Sequence, residues 1–177
     1  LATMTPPFGA IYCHPDSHVN VDECGAPEFF SGCGKLLTLF HNSGKLRAID
    51  IKKKIEQINF KGKQHSKISG ISITQLAENG TIYSTDQISD ISKICKRNGL
   101  YLHIDGARFA NALAFQTGIS PADATWKIGV DCLSLGATKN GAMAAEVIIF
   151  FKKELAKEAK NKIKQTGHLI SKTRFVS

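Results

Sequence analysis

Leu100-Tyr101-Leu102-His103-Ile104-Asp105-Gly106-Ala107-Arg108 opens on an apolar run and closes on an acid, a glycine and an arginine. A second apolar run, residues 131–135, leads into Gly136-Ala137-Thr138-Lys139-Asn140-Gly141 in the same way. Each run is short and continuous enough for a strand buried on both faces, the mark of a parallel sheet, and each delivers polar groups at its carboxyl end. Open α/β sheets bind their ligands at those ends. The acid, the arginine and the lysine are therefore expected on one rim.

Working outward, residues 84–86 (Ser-Thr-Asp) precede an apolar stripe of Ile88, Ile91, Ile94 and Cys95 that ends at Asn98-Gly99. Such a start signal, stripe and stop predict a helix, and the β-branched residues 68–74 before it predict another buried strand. Residues 9–14 and 36–40 read as strands, and 46–58 as an amphipathic helix. Residues 22–30 predict a short helix that breaks near Gly32 to Gly34, and 109–115 and 120–126 two more. Residues 147–151 predict a last strand and 152–164 a charged helix. The expected fold class is α/β, a mostly parallel sheet with flanking helices, within one domain over residues 1–177.

In a chain of 177 residues that is 42% hydrophobic, no apolar run approaches the roughly 20 residues of a membrane-spanning helix, and no membrane partner is expected. The formal charge of +8 comes from lysines set in two helical stretches with few aromatics between them. That distribution describes solvated helix faces rather than a nucleic-acid site. The five cysteines form an odd set without a C-x-x-C pair, which suits a reducing cytoplasm. Cys13, His14 and His18 have metal-ligating side chains but no second cluster to join them, so no metal is expected.

A carboxylate that holds a heterocyclic nitrogen protonated and a lysine that can form an imine are the pair that pyridoxal phosphate chemistry needs. Asp105 and Lys139 can serve so if one ring can bridge them. On the residues alone, Asp105 is equally a helix N-cap, Lys139 a loop lysine, and Arg108 a surface arginine or a bidentate partner for a carboxylate. His103 shares a strand face with Asp105 by alternation and is either its hydrogen-bond partner or a buried structural histidine.

The strings HVNVDECGAPEFF (residues 18–30), SITQLAENGT (72–81), LHIDGARFANA (102–112) and LSLGATKNG (133–141) together resemble the low-specificity L-threonine aldolases. These belong to the β-eliminating lyase group of fold-type I pyridoxal-phosphate enzymes. Ala77 and Ala137 stand where that family's strings lead one to expect a threonine and a glycine. The resemblance implies a partial large domain, truncated at both ends, that begins just after the phosphate-binding loop and stops before a small carboxy-terminal domain. It further implies pyridoxal 5'-phosphate as cofactor, an amino-acid substrate, and a homo-oligomer, dimer or tetramer, in the intact enzyme.

By the same resemblance, Lys139 forms the imine and Asp105 accepts the ring N–H. His18 stacks on the ring and helps manage the proton of the substrate hydroxyl. Arg108 and Glu23 serve the substrate, while Thr138 and Arg174, with Lys172 behind it, serve the phosphate. The implied reaction is cleavage of L-threonine or L-allo-threonine to glycine and acetaldehyde. A β-eliminating lyase and an inactive remnant that keeps only the scaffold are the alternatives. With the phosphate loop and small domain outside residues 1–177, weak cofactor binding is expected of this stretch alone.

Overall fold

Long β-branched and leucine-rich runs alternate with amphipathic helices, and the computed structural model, which describes residues 1–61, 65–169 and 171, arranges them as a layered α/β domain. In chain order the elements are β1 (Gly9–Cys13), α1 (His18–Val21), α2 (Ala26–Phe30), β2 (Lys35–Thr38), α3 (Ala48–Lys61) and β3 (Lys67–Thr74). There follow α4 (Thr85–Asn98), β4 (Tyr101–Gly106), α5 (Phe109–Phe115), β5 (Cys132–Gly136), β6 (Glu146–Phe150), α6 (Lys153–Ala156) and α7 (Ala159–Gln165). The strands form one sheet in the order β2-β1-β3-β4-β5-β6, with the first five parallel and β6 antiparallel to β5.

That order places the reversal between β1 and β3. The chain leaves β1 toward β2 on one side and returns to β3 on the other, so the loops after β1 and β3 part and leave a crevice between them. Register then lines up the rows of the sheet: Thr74 pairs with Asp105, and Asp105 with Ser134.

One face carries the main core. Tyr12, Ile71, Ile73, Leu102, Ile104 and Leu133 pack there under Ile51 and Ile55 of α3 and Ile88, Ile91 and Cys95 of α4. Burying each of these large side chains contributes about 1.5–3 kcal/mol. The other face is more polar, with Ser72, His103 and Ser134 beside a small cluster of Met4, Cys132 and Leu155.

Helix α4 is fixed at both ends as its sequence predicts. The Ser84 hydroxyl accepts the Gln87 N–H while the Gln87 side chain accepts the Ser84 N–H, and Gly99 closes the helix at φ 63°.

Three expectations fail locally. Residues 120–126 make turns and only a 3-10 turn at Trp126–Ile128: the Ser120 hydroxyl oxygen accepts the Asp123 N–H as a cap would, but Thr125 leaves helical geometry at φ −134°, ψ −102° before a helix can extend. Residues 152–164 break into α6 and α7, since only Leu155 and Ala159 are buried and nothing apolar holds the turn between them. The helix expected over 22–30 is confined to α2, because Cys24 (φ 50°) and Gly25 (φ 77°) turn left-handed just before it, and the separate one-turn α1 ends at Val21.

Gly106, directly after Asp105, lets the end of β4 lie against β5. A Cβ there would meet Leu133 Cδ1 at 2.6 Å and the Ser134 carbonyl oxygen at 2.7 Å, and backbone cannot move aside. Gly106→Ala is expected to lower stability by about 1–3 kcal/mol, read as a lower urea midpoint with an unchanged slope.

Candidate active site at the carboxyl ends of the strands

Asp105 ends β4 and is largely withdrawn from solvent. One carboxylate oxygen, Oδ1, accepts the Ala107 N–H at 3.1 Å, and Oδ2 has no partner among the described residues. Burial pushes its pKa up and the Glu78 charge adds to that, while the Ala107 N–H, His18 and Lys139 pull the other way. Charges from the loops after β1, β3 and β5 thus all register at this one carboxylate.

Lys139 lies in a 3-10 turn, Thr138–Asn140, that follows β5 directly. The turn is tied down by Asn140 Nδ2 donating to the Gly136 carbonyl at 2.7 Å and by the Ala137 N–H donating to Ala145. Gly141 closes it at φ 96°, a conformation only glycine takes without strain. Lys139 itself is exposed, as is Thr138, whose hydroxyl oxygen accepts the Ala145 N–H at 3.3 Å. Asp105 and Lys139 therefore stand at the ends of adjacent parallel strands.

His18 begins α1, across the crevice. Its ring Nδ1 is 3.2 Å from Asp22 Oδ2, one helical turn on, which leaves Nε2 without a partner among the described residues. Its backbone N–H donates to Glu78 Oε1 at 2.9 Å. Neither carboxylate was singled out in the sequence. Asp22 could have been found by its i,i+4 spacing from His18, whereas Glu78 is 60 residues away and had no local signal.

The remaining candidates scatter. Arg108 is half-buried and makes no side-chain hydrogen bond or ion pair among the described residues, and α5 begins at Phe109, so Gly106 belongs to β4 rather than opening a helix. Glu23 is exposed between α1 and α2, not in a helix start, and its side chain has no hydrogen-bond partner among the described residues. Arg174 and Lys172 lie outside the described residues.

His103 does not reach Asp105 by a hydrogen bond. Its two ring nitrogens meet the Ser72 hydroxyl on β3 and the Ser134 hydroxyl on β5, each at 2.9 Å, so one neutral imidazole laces three strands together. Full burial pushes its pKa down to about 3 and keeps the ring neutral. Among the described residues no group of three His, Cys, Asp or Glu side chains is placed to hold a metal ion, and no helix is long and apolar enough to cross a membrane.

The pH dependence of Asp105 has a definite sign. Because its folded pKa is raised above the ordinary 3.8, its relative contribution to stability is fully present below that value and is lost as pH rises through the raised one. Asp105→Asn keeps an acceptor for the Ala107 N–H and cannot ionise. Its melting temperature should exceed that of the parent by a few degrees at pH 7, and the gap should close on acidification toward pH 3.8, measured by thermal melts of both proteins across pH.

The family model for beta-eliminating lyases matches residues 1–177. A low specificity L-threonine aldolase from Pseudomonas sp. (strain NCIMB 10558) is 43% identical over 180 aligned residues, covering 100% of this chain and 50% of that protein. The protein of the same name from Pseudomonas aeruginosa is 44% identical with the same coverage. Among solved structures, a threonine aldolase from Leishmania major superposes with a TM-score of 0.85 at 32% identity, covering 94% of this chain and 47% of its own. The chain spans about half the length of the curated relatives it matches.

Proposed function

Because the chain belongs to the beta-eliminating lyase family, we propose that it forms part of the large domain of a fold-type I aldolase that uses pyridoxal 5'-phosphate to split L-threonine or L-allo-threonine into glycine and acetaldehyde. The observation that carries this is the meeting of a raised-pKa carboxylate, a histidine ring and a lysine at the carboxyl ends of β4, β1 and β5. Their donor chemistry fits the cofactor: a carboxylate oxygen without a partner among the described residues, a primary amine on a glycine-bounded turn, and an imidazole ring whose Nδ1 is held by Asp22.

When bound, the cofactor's protonated ring draws off the electron pair left when a bond at the substrate Cα breaks. The protein's residues do the rest. Lys139 Nζ is the amine that would hold the cofactor at its aldehyde, and Asp105 Oδ2 the acceptor that would take its ring N–H and keep that nitrogen protonated. The His18 ring would pack against the bound cofactor. With Nδ1 committed to Asp22, its Nε2 is the atom that would take the β-hydroxyl proton, directly or through a water. Arg108 offers a bidentate hold on the α-carboxylate, and Glu23 a hydrogen bond at the substrate end. The Thr138 hydroxyl serves the phosphate, with Arg174 in the same role. Assembly into a homodimer or tetramer and residence in the cytoplasm complete the proposal, the latter supported by five free cysteines.

Borohydride reduction after incubation with pyridoxal 5'-phosphate traps even a weakly held imine. Peptide mapping should place the label on Lys139, and Lys139→Ala should lose it. In the full-length protein the same substitution should lower threonine cleavage on the order of 10³-fold or more, followed as acetaldehyde release. 2-Oxobutanoate and ammonia in place of glycine and acetaldehyde would assign an elimination of water from threonine instead.

A further inference from the structure

We infer that Glu78 is a positioning residue of this site, its carboxylate reaching across the crevice between β1 and β3 to hold His18 in place. The inference deepens the aldolase proposal and rests on it for what His18 does.

The N–H of His18 opens α1, where the helix itself supplies no acceptor. The ordinary solution is a capping side chain, but Ser17 does not cap here. Its hydroxyl donates instead to the His14 carbonyl at 2.6 Å. Glu78 Oε1 takes the orphaned donor at 2.9 Å, a charge-assisted bond and so about twice as strong as a neutral one. His18 is then held twice, through its backbone by Glu78 and through its ring by Asp22.

The loop that carries Glu78 is built to stand still. Gln75 exchanges two hydrogen bonds with the Tyr83 backbone, each 2.9 Å, and its own N–H donates to the Asp105 carbonyl at 2.8 Å. Ala77 and Thr81 close the turn by a backbone bond of 2.9 Å. Asn79 Nδ2 and Thr81 Oγ1 both donate to the Ser43 carbonyl at 2.9 Å, tying the loop to the segment after β2. A carboxylate on such a loop acts as a fixed post.

Its charge has a second consequence. The groups that face Asp105 are Glu78, His18 and Lys139, and of these only Glu78 favours the protonated carboxyl. Burial is the main cause of the raised Asp105 pKa, and the Glu78 charge adds to it.

Two substitutions separate the effects. Glu78→Gln keeps an acceptor for the His18 N–H and removes the charge, while Glu78→Ala removes both. In the cofactor-free protein, hydrogen exchange of the His18 amide should stay near the parent rate in Glu78→Gln and speed up on the order of tenfold in Glu78→Ala. The Asp105 carboxyl, followed by its carbon chemical shift, should titrate at lower pH in Glu78→Gln. Affinity for pyridoxal 5'-phosphate should fall on the order of tenfold in Glu78→Ala.

A folded Glu78→Ala protein whose His18 amide exchanges at the parent rate overturns the inference. If that variant does not fold, Glu78→Asp, whose side chain is one methylene shorter, takes its place: parent-rate exchange of the His18 amide overturns the inference, and faster exchange supports it. Failure of the full-length parent to bind the cofactor while its His18 amide is protected would remove the aldolase proposal and leave the Glu78 contact standing. Cofactor binding with an unprotected amide would do the reverse.

Discussion

Parallel pairing of β1, β3, β4 and β5 is the constraint from which the rest follows. Strands buried on both faces admit polar groups along their length only where these satisfy one another, as Ser72, His103 and Ser134 do, so side chains that must meet a ligand stand at the ends and in the loops. In-register pairing of Thr74, Asp105 and Ser134 sets the level of that rim across three strands. The reversal of strand order between β1 and β3 then opens a gap at one point along it, and the loops bearing His18 and Glu78 face each other there.

The polar face below the rim is held by a different device. His103 and Asp105 sit two residues apart on the same face, yet their surroundings differ. His103 has a hydroxyl for each ring nitrogen and is locked neutral, so it contributes cohesion between strands and takes no charge. Asp105 has one oxygen satisfied and one without a partner among the described residues, beside two cationic residues and one acid. A buried carboxylate left half satisfied is a cost to the fold, and such costs cluster where a ligand is to be bound.

Much of this was legible in the sequence because the signals were local. The capping residues and glycine of α4, the apolar runs of β3 to β5 and the segment of α5 each carry their own periodicity and punctuation. What stayed hidden was set by tertiary contact. Nothing near His103 in the chain names Ser72 or Ser134 as its partners, each 31 residues away. The break between α6 and α7 depends on what Leu155 and Ala159 find to pack against, and the left-handed pair Cys24 and Gly25 on how α1 meets the crevice. The family resemblance supplied Asp105, Lys139 and His18 together, but it gave no reason for Glu78.

The residues at the rim divide by how firmly they are held. His18 and Asp105 are fixed by contacts from other strands' loops, and each feels the same glutamate. Lys139 and Arg108 have no such restraint: one sits exposed on a tied turn, the other half-buried and unpaired among the described residues. Under the proposed aldolase function, this asymmetry would let the rigid half fix the plane of a flat ring while the lysine and arginine side chains adjust to the charge they meet. Lysine and arginine have the long flexible stems for that, and a histidine braced by two carboxylates does not need them.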